Sequence, residues 1–166
     1  MDHPDPYGPT RLRPRNTSIL SVRQAVAWPC DTHAVDELIR RFYEDLWNRW
    51  DDGLVKDILA EDFVFRGSLG TETHGRDEWR AYRDLIRVGA SDFHNEVVTL
   101  VVKEEQAAAR LLYTGTHTGP LAGLAPTGRR FFYAGAAFFT ASMGQLTSAW
   151  VLGDLTGLRE QLDPST

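Results

Sequence analysis

The sequence predicts an α+β fold: a curved antiparallel sheet of four to five strands wrapped around a few helices into a cone. Three observations lead there. Apolar residues recur at helical spacing up to Gly89 and in strand-like runs after it. Four such runs follow one another through short links, and short links require antiparallel neighbours. Helices precede strands instead of alternating with them, which separates α+β from a parallel α/β sheet. A strongly twisted sheet of this size curls around what covers it, and ligands bind in the mouths of curled sheets.

Composition narrows the function. The chain has 166 residues, 42% apolar and 25% charged, which is one globular domain. Lys plus Arg number 18 against 23 Asp plus Glu, a net charge of −5, so no nucleic-acid partner is expected. No stretch reaches the roughly 18 apolar residues of a membrane span. The start, MDHPDP, lacks the basic-then-apolar pattern of a secretory signal. The lone Cys30 forms no internal disulfide and fits a reducing cytoplasm. One cysteine and five scattered histidines do not make a metal site.

The elements follow in order. Residues 1–32 form an arm holding Pro4, Pro6, Pro9, Pro14 and Pro29 and four arginines. Proline fixes φ and removes a donor, so regular structure is not expected before about Thr17. A short helix at 18–28 would offer Ile19, Leu20, Val22 and Trp28 to a partner subunit. The domain spans 33–162, with a tail at 163–166. Asp31 or Thr32 caps a helix reaching Trp50, with Leu38, Phe42 and Leu46 as its stripe and Val35, Ile39 and Tyr43 beside it. Asp51-Asp52-Gly53 breaks it. A short helix at 54–59, a strand at 62–66, a loop at 67–75 and a helix at 76–88 carrying Trp79, Tyr82, Leu85 and Ile86 come next. The strand runs are 93–103, 107–118, 129–141 and 145–152, rich in Val, Phe, Tyr and Thr.

Five segments in this order resemble the SnoaL-like polyketide cyclases, or ester cyclases, of the nuclear-transport-factor-2-like superfamily. They are Asp62-Phe63, then His74-Gly75-Arg76-Asp77, Thr114-Gly115-Thr116-His117-Thr118-Gly119 and Pro126-Thr127-Gly128-Arg129-Arg130. The last is the ending Trp150, Asp154, Gly157, Leu158, Gln161 and Leu162. The resemblance covers about residues 33–162. It implies a cystatin-like cone (an α+β barrel), a homodimer across the sheet and a buried apolar pocket. It also implies ring closure by aldol condensation without a cofactor, driven by an acidic residue on the last strand.

The polar groups of that mechanism are missing. By the resemblance, the acid falls at Val151, a histidine at Ala137, a glutamine at Gly135 and a first-strand polar group at Phe65. The usual aspartate-driven mechanism is therefore not expected. What remains are the candidate catalytic residues His117, Asp154, Tyr133 and Asn95. Asp154 is equally a turn or cap residue, and His117 equally a holder of the 119–128 loop. Asn95 interrupts the face made by Phe93, Val97 and Thr99, so a ligand carbonyl or a backbone group must satisfy it. The pocket-facing side of 131–139 carries Phe131, Tyr133, Gly135, Ala137 and Phe139, with Gly135 and Ala137 making room. Tyr43, Trp47, Phe65, Trp79 and Val151 complete the expected lining. Arg66 stands at the cone's edge, where it meets an anionic ligand or a surface carboxylate.

Two functions compete. One is a cofactor-independent cyclase or isomerase that holds a small apolar polyketide-like substrate in one reactive conformer, with cofactor-independent hydroxylation as a variant. The other is a non-catalytic ligand-binding or dimeric interaction module on the same fold. Epoxide hydrolysis, also found on this superfamily, wants an Asp-Arg-Asp set that the strand pattern does not provide.

Overall fold

The computed structural model describes residues 32–163. The expected arm, its 18–28 helix and the end of the tail lie outside the described residues. Helix α1 (Thr32–Arg41) opens the domain. Its expected stripe is buried: Val35, Leu38, Ile39, Phe42, Tyr43 and Leu46 are all in the core.

The helix does not continue as a regular α-helix. Phe42–Asn48 is a π-helix, with the Arg49 N–H bonded to the Glu44 carbonyl at 3.0 Å, five residues back. In an α-helix, residues five apart point roughly 140° away from each other. Here the wider turn brings the Phe42 and Trp47 rings to 6.4 Å on one side. The Asp51 N–H then closes on the Asp45 carbonyl at 2.9 Å, with Trp50 in the left-handed region at φ 58°. A side chain there costs about 1–2 kcal/mol. The Arg83 and Arg87 guanidiniums lie 5.8 and 5.1 Å from the Trp50 ring and hold it in place.

Helix α2 (Val55–Ile58) leads into β1 (Leu59–Arg66), β2 (Glu72–His74) and helix α3 (Gly75–Gly89). Strands β3 (His94–Lys103), β4 (Gln106–Thr116), β5 (Arg130–Ser142) and β6 (Gln145–Gly153) form the meander, and helix α4 (Leu155–Leu162) ends the domain. The sheet order is β2-β1-β6-β5-β4-β3. It holds six strands, one or two more than the sequence suggested. The additional strand β2 has three residues, too few to show a period, inside the stretch read as loop.

One pairing is not antiparallel. β1 runs parallel to β6, with Phe65 opposite Ala149. The short-link argument does not reach this pair, because most of the domain separates the two strands in sequence. Register shifts in β3 after Val97 and in β5 after Thr140 bend the sheet toward its helices. The concave side carries Phe63, Phe65, Leu111, Tyr113, Phe131, Tyr133, Phe139 and Val151, all buried.

Arg83 of α3 clamps the helical layer. It is 1% exposed, reaches the Asp52 carboxylate at 2.8 Å and the Leu46 carbonyl at 3.4 Å, and sits 5.3 Å from the Trp79 ring. A buried charge is tolerable only when paired in this way.

Strand β4 leaves the sheet past α3. The N–H groups of Thr118 and Gly119 both bond the Gly89 carbonyl, at 2.9 and 3.0 Å. A Cβ on Gly119 would overlap the Val88 carbonyl, which is backbone and cannot swing away. Gly119→Ala is therefore expected to lower stability by about 1–3 kcal/mol, read as the urea midpoint. An unchanged midpoint would show that this junction has slack.

Candidate functional site

The helical layer and the concave sheet face enclose a cavity of about 30 Å³. The π-helix supplies Phe42, Tyr43 and Trp47; β1 and its following loop supply Phe65 and Ser68; α3 supplies Tyr82 and Ile86. Phe93 and Asn95 come from the entry to β3, and Tyr113, Tyr133 and Val151 from β4, β5 and β6. The space suits one or two water molecules.

Among the described residues, the lining contains no carboxylate, imidazole or cation. Its polar side-chain groups are four phenols, the Ser68 hydroxyl, the Asn95 amide and the Trp47 indole N–H. Burial pushes the Tyr43, Tyr113 and Tyr133 phenols well above the ordinary 10.0. Tyr113 is pushed further by the neighbouring phenols, and a hydrogen bond with Ser68 partly offsets the rise at Tyr133. Tyr82 is raised by burial to about 12, partly offset by a hydrogen bond with the Leu69 backbone. All four are neutral donors at physiological pH. The Tyr43 and Tyr113 hydroxyls are close enough to affect each other's ionisation, yet neither has a partner in good hydrogen-bond geometry. Buried unpartnered hydroxyls leave bonding capacity for something else.

The predicted catalytic residues divide. Tyr133 and Asn95 line the cavity. Asn95 is also tied to the end of the π-helix: its N–H and Nδ2 donate to Asn48 Oδ1 at 2.8 and 3.2 Å, and Asn48 Nδ2 donates to its carbonyl at 3.0 Å. His117 is buried away from the cavity lining. Its Nδ1 lies 3.1 Å from Thr127 Oγ1, its N–H bonds the Arg129 carbonyl and its carbonyl accepts from Gly128, both at 2.9 Å. It holds the 119–128 loop. Asp154 is exposed and caps α4, accepting from the Gly157 N–H at 2.9 Å.

The predicted lining divides too. Tyr43, Trp47, Phe65 and Val151 face the cavity, whereas Trp79, Phe131, Gly135, Ala137 and Phe139 pack in the core around it. Gly135 and Ala137 do not open space for a ligand. A Cβ on Gly135 would overlap the Tyr113 ring, so the small residue makes room for a tyrosine of the next strand. Ala137 is fully buried opposite Val151. Arg66 meets no carboxylate; its guanidinium lies 5.9 Å from the Trp150 ring on the outer face.

Sequence reasoning missed Phe42, Ser68, Tyr82, Ile86, Phe93 and Tyr113 as lining. Tyr113 was within reach, because alternation puts it on the face of Ala109 and Leu111. Phe42 was read as core stripe only, since its aim depends on the π-helical turn.

A curved sheet closed over helices around a tyrosine-rich cavity defines an α+β cone. The family model for SnoaL-like polyketide cyclases matches residues 37–162, and the chain belongs to that family. TsrD from Streptomyces laurentii has a similar structure, with a TM-score of 0.70 and 26% identity over 79% of this chain and 96% of that one. A proposed SnoaL-like polyketide cyclase from Jannaschia sp. CCS1 superposes with a TM-score of 0.74 at 18% identity, covering 82% and 96%. IdmH from Streptomyces antibioticus, a proposed polyketide cyclase, gives 0.68 at 22% identity, covering 76% and 96%. No curated protein matches the chain. Among the described residues, no helix is long and apolar enough to cross a membrane.

Two outcomes follow from this geometry. Asp154→Ala should lower stability by about 1 kcal/mol through loss of the cap, while Asp154→Asn restores it. A chemical role would instead abolish turnover in both variants. The raised phenol pKa values make the folded state hold protons that the unfolded chain releases above about pH 10. Stability from these groups is complete below that pH and declines as it rises toward 12. The melting temperature should be flat from pH 7 to 9 and fall steeply above 10.

Proposed function

We propose that the protein catalyses ring closure of an apolar polyketide-type substrate held in the tyrosine-lined cavity, without the usual acidic residue. The observation that supports this is the lining itself: several neutral hydroxyls in an apolar space, with nothing that ionises near pH 7. Once opened to admit it, the site holds one conformer of a flexible poly-carbonyl chain. An enol carbon of the substrate attacks a carbonyl carbon of the same chain. The new C–C bond forms as that C=O becomes an alkoxide, and the enol proton passes to the alkoxide. Phenol donors from Tyr133, Tyr43 and Tyr113 stabilise the charge that gathers on oxygen. Val151 and Phe65, at positions where the resemblance implies polar groups, give only shape.

The test is turnover of a linear aryl-capped 1,3,5-triketone with a methyl end, whose terminal enol carbon reaches the far carbonyl through a six-membered ring, with the isomeric product separated by liquid chromatography and identified by mass spectrometry. Acceleration over buffer supports the reading, and Tyr133→Phe should reduce it by about 10²-fold. Binding without acceleration favours the second reading, a ligand-binding module, for which the lack of any titratable base in the lining argues.

The reading includes a homodimer. The outer sheet face exposes Phe132, Phe138, Trp150 and Leu152, with Phe138 paired to Trp150 across β5 and β6 and flat Ala134 and Ala136 between. A second copy packed sheet to sheet covers this apolar face. Sedimentation should give a dimer, and Trp150→Glu should give a monomer. A monomeric wild type would sink this part of the reading.

A further inference from the structure

A groove of about 390 Å³ lies on the surface between α3, the stretch after β1 and the loop at Leu121. Two residues, Tyr82 and Ile86, line both this groove and the inner cavity. They are one helical turn apart on α3 and form a single wall. Leu69, Leu85 and Leu121 make the groove apolar, and Leu85 is 68% exposed. An apolar surface that continues a buried cavity through one layer of side chains is an unusual use of a soluble surface.

The wall is one side chain deep at Tyr82. The Tyr82 ring packs inward against Phe65, with centroids 5.3 Å apart, and its hydroxyl bonds the Leu69 backbone. That hydroxyl lies against Gly67, where an added Cβ would overlap it. Gly67 does not have a positive φ, so its backbone accepts any residue. The glycine is required only while Tyr82 stays in this position. The opposite wall is different: Tyr43 and Asn95 separate the cavity from another surface hollow, but three hydrogen bonds tie Asn95 to Asn48.

We infer that Tyr82 is the gate of the site and that the groove beyond it is the outer half of the binding site, taking the end of an extended apolar substrate that the inner cavity cannot hold. The inference rests on the reading of the cavity as the ligand site. The cavity alone is far below the roughly 300–1,000 Å³ of ligand pockets, and rotation of Tyr82 joins it to a space of that size. The substrate class is then an elongated apolar molecule, with its reacting carbonyls inside among the phenols and its other end along Leu85 and Leu121. Ala81, at the groove floor on α3, determines how bulky that end is.

The test is stopped-flow and equilibrium binding of the neutral fluorophore N-phenyl-naphthylamine to the full chain. Gly67→Ala displaces the Tyr82 hydroxyl and leaves every other residue of the cavity wall in place, so association should accelerate about tenfold as the open fraction rises. Ala81→Trp fills the groove from an exposed position and should weaken binding by about tenfold or more. Should Gly67→Ala fail to fold, Tyr82→Ala opens the same wall and should give the same acceleration. If the wild type binds and these variants bind with unchanged rates and affinity, the gate is wrong and the cavity reading stands. If neither the wild type nor Tyr82→Ala binds, the cavity reading falls and the gate with it.

Discussion

The placement of Trp47 is the constraint on which the rest depends. Its ring contacts those of Phe42, Trp50, Phe65, Trp79, Tyr82 and Phe93, which come from both helical segments, the first strand and the start of the meander. Phe42 adds ring contacts to Phe63, Trp79 and Phe139, so the two π-helical rings together tie the helices to the sheet. Trp47 points inward because the π-helical turn delivers it to the same side as Phe42. A regular helix would carry one of the two rings away from the concave face. The left-handed Trp50, the arginine clamp and the broken helix end all follow from stopping the chain where Trp47 fits.

The same placement explains the chemistry of the interior. An aromatic hub leaves only small gaps, and groups that border such gaps lose their water. Phenols tolerate this as neutral donors, whereas an ionised carboxylate without a partner does not. Where the resemblance implies an acid, a histidine and a glutamine, this chain has Val151, Ala137 and Gly135, and the phenols on the cavity wall come from the π-helix, α3, β4 and β5. Gly135 shows how tightly the phenols are packed: it carries no side chain, and the Tyr113 ring occupies the room.

Much of the fold was legible because it rests on periodicity. The stripe Leu38, Phe42 and Leu46 and the alternation along 131–139 reflect burial against one continuous core, which marks the sequence directly. Strand β2 and helix α4 were not legible. The first is three residues long, and the second hides behind an Asp-Leu-Thr-Gly segment that reads as a turn until its cap is seen. The π-helix has no periodic signature of its own. For the site, residue type identified Tyr133 and Asn95 but not the company they keep. Tyr113 and Tyr82 are ordinary core aromatics in sequence, and only the curl of the sheet brings them together. His117 and Asp154 are chemically capable in sequence, and in the structure His117 fastens the 119–128 loop while Asp154 caps α4.

The parallel joint between the first and last long strands has a consequence for synthesis. Leu59 aligns with Leu146, so the strand that begins the sheet waits for nearly the whole domain before it gains its inner neighbour. On the ribosome, the aromatic interior stays uncovered until β6 has emerged. A chain that closes through so distant a contact folds slowly, not segment by segment. During that interval the rings meant for the cavity are free to find other chains, so yield in the cell depends on chaperone supply and on translation rate as much as on the stability of the finished fold.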